Sequence, residues 1–417
     1  PGSDLRRDDG AMRQQGEAAP TRDPLTPGQM LLLGVGWFGF QVFWAFHGAT
    51  LPLFLAGLTD SKFRISLVLG LSGLFGVLVP PVVGYLSDRT SSRLGRRSPF
   101  VVAGMIGMLV SVLALGRLTD FAPVAAAAAL MYLSLRLGET PFLSLLPDLT
   151  PAPQRSTASG VMNLVGSIGL ILCFVAGALL WEHNQPAMFV LVACAGAGST
   201  IAGVLLLREP PGVRAAAALP ATPAAWLRSL AGERDAVRFL LAQSFWWLGF
   251  WMISSFLVLF AAEALGVPEG RSFFVPLVFS LVATVAMLPA GMIGDRLDHR
   301  LLLSAAVGLW AVSGLLVGIT QNLPQLLLAA GFTGVPFAAV MVVGYAYFLD
   351  LIPAPRTAEF MGISILTGAL AQFLGPLLGG QLIDALGYRA IFPAAAAFQL
   401  TGLILLQRVG HRAGAAR

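Results

Sequence analysis

Long apolar segments separated by short polar loops dominate the hydrophobic pattern of the chain. Each has about the 20 mostly apolar residues that an α-helix needs to cross a membrane. Glycine and proline are frequent inside them, as at Pro141 and Pro376, and membrane helices tolerate both where neighbours satisfy the freed carbonyls. The pattern predicts an all-α membrane protein with twelve helices, at residues 28–57, 65–86, 98–116, 122–147, 154–180, 187–207, 237–263, 270–293, 299–319, 324–350, 356–383 and 388–407.

The composition agrees with lipid rather than water around these helices. Of the 417 residues, 56% are hydrophobic and 11% are charged, whereas a soluble domain carries roughly 25% charged residues. So few charges cannot cover a water-exposed surface. The chain also has no basic stripe with interleaved aromatics, so nucleic acid is not an expected partner.

Charges in the loops predict the orientation of the chain. Alternate loops and the two tails carry most of the 26 lysines and arginines, and the basic residues of the other loops are Lys62, Arg64, Arg117, Arg271 and Arg389. Positive charge is retained on the cytoplasmic side of membranes. We therefore expect a multi-pass protein of the plasma or inner membrane with both termini in the cytoplasm.

The longest loop divides the twelve segments into two groups of six. Within it, Thr222 and Pro223 form a good helix start, which favours a helix on the membrane surface over an unstructured linker. The predicted organisation is a cytoplasmic tail (1–27), a six-helix bundle (28–207), a linker (208–236), a second six-helix bundle (237–407) and a second tail (408–417).

Two short motifs occur once in each half, at the ends of apolar segments. The first is Gly-x-x-x-Asp-Arg, and its acid and base are Asp88 and Arg89 in one half, Asp295 and Arg296 in the other. The second joins an Asp to an Arg through a proline-rich turn, and its ends are Asp148, Arg155, Asp350 and Arg356. A soluble enzyme has no reason to place such pairs at membrane-segment ends in both halves, whereas a transporter built from two similar bundles does.

The first motif, with the basic cluster that follows it, resembles the signature of the major facilitator superfamily. The resemblance covers essentially the whole chain and implies that family's fold, with 12 transmembrane helices in two pseudo-symmetric bundles. Gly84 would let two helices approach closely. The alternative is that the charges only fix the topology. The resemblance implies a gate on the cytoplasmic side, for which the candidate residues are Asp88, Arg89, Arg96, Arg97, Asp148, Arg155, Asp295, Arg296, Asp350 and Arg356.

The loop after Asp88 is longer than the usual superfamily motif. It runs through Arg93 to Gly95-Arg96-Arg97, and this longer form resembles the sucrose:proton symporters and the related glycoside–pentoside–hexuronide:cation symporters. The resemblance implies symport of a sugar or glycoside, coupled to protons or sodium.

Arg136 and Glu139 lie near the middle of the fourth segment, three residues apart and so on one helix face. A charge at bilayer mid-depth costs about 2.5–3.5 kcal/mol on insertion scales, and such residues commonly mark ion pathways. The stretch from Glu139 to Pro147 also resembles melibiose permease, where an acid at this position helps bind the coupling cation. We therefore predict a cation-coupling site at Glu139 with Arg136. A structural ion pair that fixes helix packing is one alternative. Another is that Arg136 hydrogen-bonds sugar hydroxyls or a substrate carboxylate.

The two halves differ at this pair. Aligning Asp148 with Asp350 places Glu139 opposite Met341, and Arg136 opposite Ala338. The ion chemistry is therefore predicted in the first half alone.

Aromatic residues and amides on the first and seventh segments are candidates for the substrate wall. Trp37, Gln41, Trp44 and Gly48 share one helix face, and such a face suits a sugar, whose rings stack and whose hydroxyls hydrogen-bond. The first-segment run resembles that of plant sucrose transporters. For each aromatic, the alternative is packing or lipid contact. For His47 the alternative is a hydrogen-bonded packing role. We expect Asn163 and Gln372 to be buried, and their alternative is an interhelical hydrogen bond. The candidates are Trp37, Gln41, Trp44, His47, Asn163, Gln243, Trp247, Trp251 and Gln372.

No catalytic constellation, metal-ligand spacing or phosphate-cradling loop is visible in the sequence. We expect a monomeric secondary transporter, not an enzyme, without a cofactor other than H⁺ or Na⁺ as coupling ion. Its expected partners are a small molecule, most simply a sugar, and membrane lipids. Two other functions remain open: a proton-driven exporter of small apolar or amphipathic compounds, and a non-transporting membrane receptor or lipid-moving protein.

Overall fold

The computed structural model describes residues 24–207, 232–353 and 356–410. Within these ranges, twelve helices are long and apolar enough to cross a membrane, which confirms the predicted fold class. The predicted linker helix and most of both predicted tails lie outside the described residues. The helices are α1 (Pro27–Ala56), α2 (Lys62–Arg89), α3 (Ser98–Leu115), α4 (Phe121–Leu149), α5 (Arg155–Leu180), α6 (Gln185–Leu207), α7 (Arg234–Ala264), α8 (Glu269–Gly294), α9 (His299–Gly318), α10 (Leu323–Leu351), α11 (Glu359–Leu386) and α12 (Tyr388–Leu406).

Local sequence signals set several helix starts. Thr26 and Gln29 form a capping box before α1, in which each side chain bonds the backbone N–H of the other, so two otherwise unpaired amides are satisfied. Asp298 and Asn322 cap the N-termini of α9 and α10. The side chain of each accepts a hydrogen bond from the backbone N–H three residues later. These caps fix where the chain turns back into the membrane layer.

The helices form two bundles with the same packing pattern. In the first bundle (α1–α6), α1 packs on α5 and α6, α3 on α4 and α6, and α2 on α4. In the second bundle (α7–α12), α7 packs on α11 and α12, α9 on α10 and α12, and α8 on α10. Shifting every helix by six therefore reproduces each contact, as expected of two halves with one fold.

The bundles meet through α2 with α11 and α5 with α8. A Cβ on Gly73 would overlap the backbone of Phe373, and a Cβ on Gly380 would overlap that of Lys62, so glycine lets α2 and α11 touch here. Further along the same helices, Gly84 and Gly362 have nothing within 4 Å of such a Cβ. The helices thus touch over one half of their length and separate over the other.

This divergence defines two faces of the molecule. We call the end that carries Arg96, Arg97 and Arg356 the arginine-rich face, and the other end the opposite face. The bundles are joined towards the opposite face and apart towards the arginine-rich face. The expectation that Gly84 allows a close helix approach is therefore wrong for this conformation, in which close packing occurs at Gly73 and Gly380 instead.

The equivalent helices α1 and α7 are both irregular at mid-length. In α1 a π-helical turn covers Phe46–Thr50. In α7 the regular helix ends at Ser254, and a π-helical turn follows at Phe260–Ala264. Such turns leave backbone groups less regularly paired and commonly occur at functional sites. The irregular stretches place His47 and Ser255 beside the space between the bundles.

Candidate functional site

Glu139 is a buried carboxylate whose two oxygens both accept hydrogen bonds. Its side chain is 7% exposed. Arg136 Nη1 donates to Glu139 Oε2 at 2.8 Å, and Trp44 Nε1 donates to Glu139 Oε1 at 2.9 Å. The pair is therefore a compensated charge inside the membrane layer rather than an isolated one. Helix α4 supplies both charged residues because positions three apart face the same way, and α1 supplies the indole.

Arg136 also connects the two bundles. Its Nη2 donates to Gln372 Oε1 of α11 at 2.9 Å and to the carbonyl oxygen of Ser72 at 3.1 Å. Its guanidinium lies 5.1 Å from the ring centroid of Trp44, within the range of a cation–π contact. Arg136 therefore links Glu139 to a hydrogen bond across the bundle interface.

Gln372 has a further hydrogen-bonding group to offer. Its side-chain oxygen is used by Arg136, but within the described residues its Nε2 is buried without a partner. Buried polar groups in native proteins are nearly always paired, so such a donor calls for a partner. The structure thus confirms that Gln372 is buried, and it places both an interhelical bond and a free donor on one side chain.

The predicted stripe on α1 is the less buried face of that helix. Trp37, Gln41, Trp44 and Gly48 are partly exposed, whereas most of the intervening residues are buried. Trp37 stacks on Phe142 with ring centroids 6.1 Å apart. Of the stripe's polar groups, the Trp44 indole reaches the ion pair.

His47 is 4% exposed, and its Nδ1 lies 2.6 Å from the hydroxyl of Tyr132. Its ring centroid is 5.5 Å from that of Trp44 and 6.3 Å from that of Trp251. His47 therefore joins residues of α1, α4 and α7 at the centre of the molecule. The π-helical turn in which it lies shifts its side chain relative to a regular helix.

A cavity of about 280 Å³ lies beside this cluster, close to the lower end of the roughly 300–1,000 Å³ of ligand pockets. Trp44 and His47 of the first bundle form part of its wall, and Trp251, Trp310 and Gln399 of the second bundle form another part. Most of the other lining side chains are apolar. Trp44 thus belongs both to the cavity wall and to the bond network of Glu139.

Six of the nine predicted binding residues lie outside this cavity wall, namely Trp37, Gln41, Asn163, Gln243, Trp247 and Gln372. Asn163 is exposed and donates to the carbonyl of Ser159 in its own helix at 2.9 Å, so the expectation of a buried amide is wrong there. Gln243 Nε2 donates to Ser364 Oγ of α11 at 2.8 Å. Trp247 packs edge-on against Trp310 with ring centroids 6.1 Å apart. Gln243 and Trp247 thus stabilise the second bundle internally.

Four predicted gating residues of the first half, Asp88, Arg96, Arg97 and Asp148, form one network at the arginine-rich face. Asp148 Oδ2 accepts from Arg96 Nη2 at 2.7 Å and also from Arg97 Nε. Asp88 Oδ1 lies 3.5 Å from Arg97 Nη2 and 3.9 Å from Arg96 Nη1. Arg89 contacts the ring and hydroxyl of Tyr85. The network joins the end of α2, the α2–α3 loop and the end of α4.

The second half repeats this arrangement with a histidine. His299 Nδ1 lies 2.8 Å from Asp350 Oδ2, just as Arg97 meets Asp148 in the first half. An imidazole carries charge only when protonated, so this contact is an ion pair only with a protonated His299, unlike the arginine pairs of the first half.

The other predicted gating residues lie near the ends of helices at the same face. Arg356 bonds Glu359 at 2.7 Å, and this hydrogen bond raises the pKa of Arg356 above its usual value. Arg155 Nε donates to the carbonyl of Thr150 at 3.3 Å. Asp295 and Arg296 are exposed at the end of α8.

The sequence reasoning missed a set of bonds that closes the opposite face, which we call the opposite-face latch. Asp384 at the end of α11 accepts from Ser61 Oγ at 2.8 Å and from the backbone N–H groups of Lys62 and Phe63 at 2.7 and 3.0 Å. Lys62 Nζ lies 2.8 Å from Glu263 of α7. A serine before a helix signals a cap, but nothing local showed that an acid from the other half completes it.

Two similar six-helix bundles with a cavity and a buried ion pair at their interface define a membrane transporter rather than an enzyme. The family model of the Major Facilitator Superfamily matches residues 33–285 and 239–414. The chain belongs to the Major Facilitator Superfamily.

Solved structures share this fold across nearly the whole chain. The nucleoside transporter NupG, in a variant form, superposes with a TM-score of 0.76 at 12% identity and covers 92% of this chain and 100% of its own. A bacterial homologue of the human lysosomal transporter Spinster gives 0.74 at 14% identity, covering 92% and 97%. At such identities the likeness concerns the fold alone.

Curated relatives match over shorter stretches. Sucrose transport protein SUC3 of Arabidopsis thaliana is 29% identical over 191 residues, which are 40% of this chain and 32% of that protein. The putative multidrug resistance protein MdtD of Salmonella paratyphi B is 34% identical over 117 residues, 28% of this chain and 25% of that protein. The match thus spans roughly a third or less of each relative's length.

Proposed function

We propose that this protein is a secondary active transporter that couples the uptake of a sugar or glycoside to a proton or sodium ion. The match to sucrose transport protein SUC3 supports a sugar substrate. The cavity supports one physically, because indoles can stack on sugar rings while His47 and Gln399 offer hydrogen bonds.

The observation that carries the proposal is the position of Trp44. Its ring lines the cavity, and its Nε1 donates to Glu139. When a proton or sodium ion occupies Glu139, the carboxylate offers less negative charge to Trp44 and Arg136. The indole can then turn towards the substrate, and Arg136 is freer to leave Gln372. Cation binding is thereby linked to both the substrate wall and the bundle interface.

The transport cycle follows from the two faces. In the predicted orientation the arginine-rich face is cytoplasmic, so the described conformation is open to the cytoplasm and closed outside by the opposite-face latch. Rocking the bundles about the centre would break the latch and bring the arginine-rich ends together. Asp88, Arg96 and Arg97 then meet the second bundle and act as the cytoplasmic gate.

The experiment is uptake of radiolabelled sucrose into liposomes containing the purified protein. An inward pH gradient and an inward sodium gradient are imposed separately, with protein-free liposomes as the control. We expect accumulation under one gradient and its collapse when an ionophore dissipates that gradient. Uptake that only equilibrates under both gradients would contradict coupling, and a panel of glycosides tests the substrate if sucrose is not taken up.

A second candidate is a proton-driven exporter of small amphipathic compounds. The mostly apolar wall of the cavity and the match to a putative multidrug resistance protein favour it. The test is uptake into inverted membrane vesicles under an imposed proton gradient. Accumulation of a fluorescent apolar amine, without accumulation of sugar, would identify this function instead.

A further inference from the structure

The central cavity extends beyond the bundle interface into the second bundle. On the side of the second bundle, which we call the inner side, its lining includes residues of α7, α9 and α12, among them Ser255, Trp310 and Gln399. Ser254, Ser255 and Gln399 on this inner side are not among the predicted binding residues. The inner side nevertheless carries polar atoms in an otherwise apolar wall.

Three of these polar atoms are buried without a hydrogen-bond partner in the described part of the chain. They are Ser254 Oγ, Ser255 Oγ and Gln399 Oε1, and Gln399 is only 1% exposed. Thr333 lines the same cavity, but its hydroxyl donates to the carbonyl of Ala329 at 2.8 Å. A buried polar atom left unpaired costs stability, so three in one cavity wall point to a ligand that pairs them.

The chain holds these groups in place rather than leaving them loose. A Cβ on Gly249 would lie 3.1 Å from Gln399 Cγ, and one on Gly314 would lie 4.0 Å from Gln399 Oε1. The first contact would be tight and the second an ordinary one, so Gly249 of α7 leaves room for the side chain of Gln399. The two serines lie where the regular helix of α7 ends, and in the described part of the chain neither hydroxyl bonds a carbonyl of the preceding turn.

The internal repeat allows the inner side of the cavity to be compared with the equivalent part of the first bundle, which carries the Arg136–Glu139 pair. The run Trp37-Phe-Gly-Phe of α1 matches Trp247-Leu-Gly-Phe of α7, and extending the match places Ser254 opposite Trp44. In the first bundle this position donates to Glu139. In the second bundle it carries a small hydroxyl beside empty volume.

We propose that Ser254, Ser255 and Gln399 form a hydroxyl-binding subsite that holds a neutral, hydroxyl-bearing part of the substrate in the second bundle. The ligand there is neutral because, among the described lining residues, His47 is the one of an ionisable type, and it lies across the cavity on α1. The inference rests on the proposed function, since the ligand class is a sugar or glycoside. It assigns affinity to the second bundle and cation coupling to the first.

The test is ligand-dependent thermal stability of the full-length protein in detergent, with sucrose, methyl β-glucoside and phenyl β-glucoside as probes. Ligand occupancy of the folded protein raises the unfolding temperature. The variants are Gln399→Leu and Ser255→Ala. The matched control is Thr401→Val on the same helix as Gln399, because Thr401 is exposed and its hydroxyl donates to the carbonyl of Ala397 at 2.8 Å.

We expect Gln399→Leu to bind the stabilising glycoside about tenfold more weakly, and Thr401→Val to bind it like the wild type. Without ligand, Gln399→Leu should unfold at the same or a higher temperature, because an unpaired buried polar atom is removed. A purely structural role for Gln399 would lower that temperature and leave glycoside binding intact.

The failures of the two proposals are distinguishable. Glycoside binding that neither Gln399→Leu nor Ser255→Ala weakens would overturn the subsite and leave the proposed function standing. A wild-type protein stabilised by an apolar amine and by none of the three glycosides would overturn both.

Discussion

Asp384 holds the opposite-face latch closed, and its removal should shift the conformational equilibrium of the transporter. Its carboxylate receives three hydrogen bonds from Ser61, Lys62 and Phe63, and two of these come from backbone N–H groups at the start of α2. An acid at a helix N-terminus is favourable. Here the acid comes from the other bundle, so its bonds exist only while the opposite face is closed.

The expected size of the shift in the conformational equilibrium follows from the strength of these three hydrogen bonds. Hydrogen bonds to a charged group contribute about 1.5–3 kcal/mol when shielded from water, and the exposure of Asp384 reduces that value. We assign about 1–2 kcal/mol to the carboxylate's preference for the closed opposite face. Asp384→Asn should therefore lower the ratio of closed to open molecules by about 5- to 30-fold.

The assay is a distance measurement between spin labels on Thr119→Cys and Gln321→Cys, on equivalent loops of the two bundles at the opposite face. The exposed Cys194 is replaced by serine, and the buried Cys173 is retained. Asp384→Asn should increase the population with the longer distance. Asp60→Asn, which removes an exposed acid from the α1–α2 loop, is the control and should leave the distribution unchanged.

An unchanged distance distribution in Asp384→Asn would refute the latch. An equal shift in Asp60→Asn would show that net charge at this face, rather than the three bonds, sets the equilibrium.

Other predictions concern packing and the arginine-rich face. Gly73→Val should destabilise the protein in thermal unfolding by about 1–3 kcal/mol, because the added atoms overlap α11, while Gly84→Ala, in open space, should not. Asp148→Asn should slow transport, since it removes the anionic partner of two arginines that are always charged. Asp350→Asn should slow transport less, because its partner His299 is charged only when protonated; uptake rates of the two variants check both.

The fold was predictable because its signals are local and repeated. Twelve apolar runs, positive charge in alternate loops and duplicated motifs at Asp88 and Asp295 are all visible in the sequence, and the helix count is confirmed. The direction of divergence between the bundles was not predictable. It depends on which glycines of α2 face α11 in one conformation, and sequence alone made Gly84 look like the contact.

The charged residues of the candidate site could be predicted from the sequence, whereas the neutral polar residues of the cavity wall could not. Arg136 and Glu139 stand out because charge is costly in a membrane, and the structure brings Trp44 and Gln372 to them. Gln399 gave no such signal, since an amide in an apolar helix also serves as an ordinary interhelical bond. Asn163 looked equivalent to Gln372 in sequence, yet it is exposed, because burial depends on which helices pack around a residue in this conformation.

The central claim is that Glu139 couples a cation to sugar movement, and Glu139→Gln in liposomes tests it most directly. This change keeps an acceptor for Trp44 but removes the charge, and Asp120→Asn, an exposed acid on the loop before α4, is the matched control. We predict that Glu139→Gln still exchanges sucrose, or the glycoside that the uptake panel identifies, across the membrane but no longer accumulates it under either ion gradient. Full accumulation by a normally folded Glu139→Gln protein would contradict the claim.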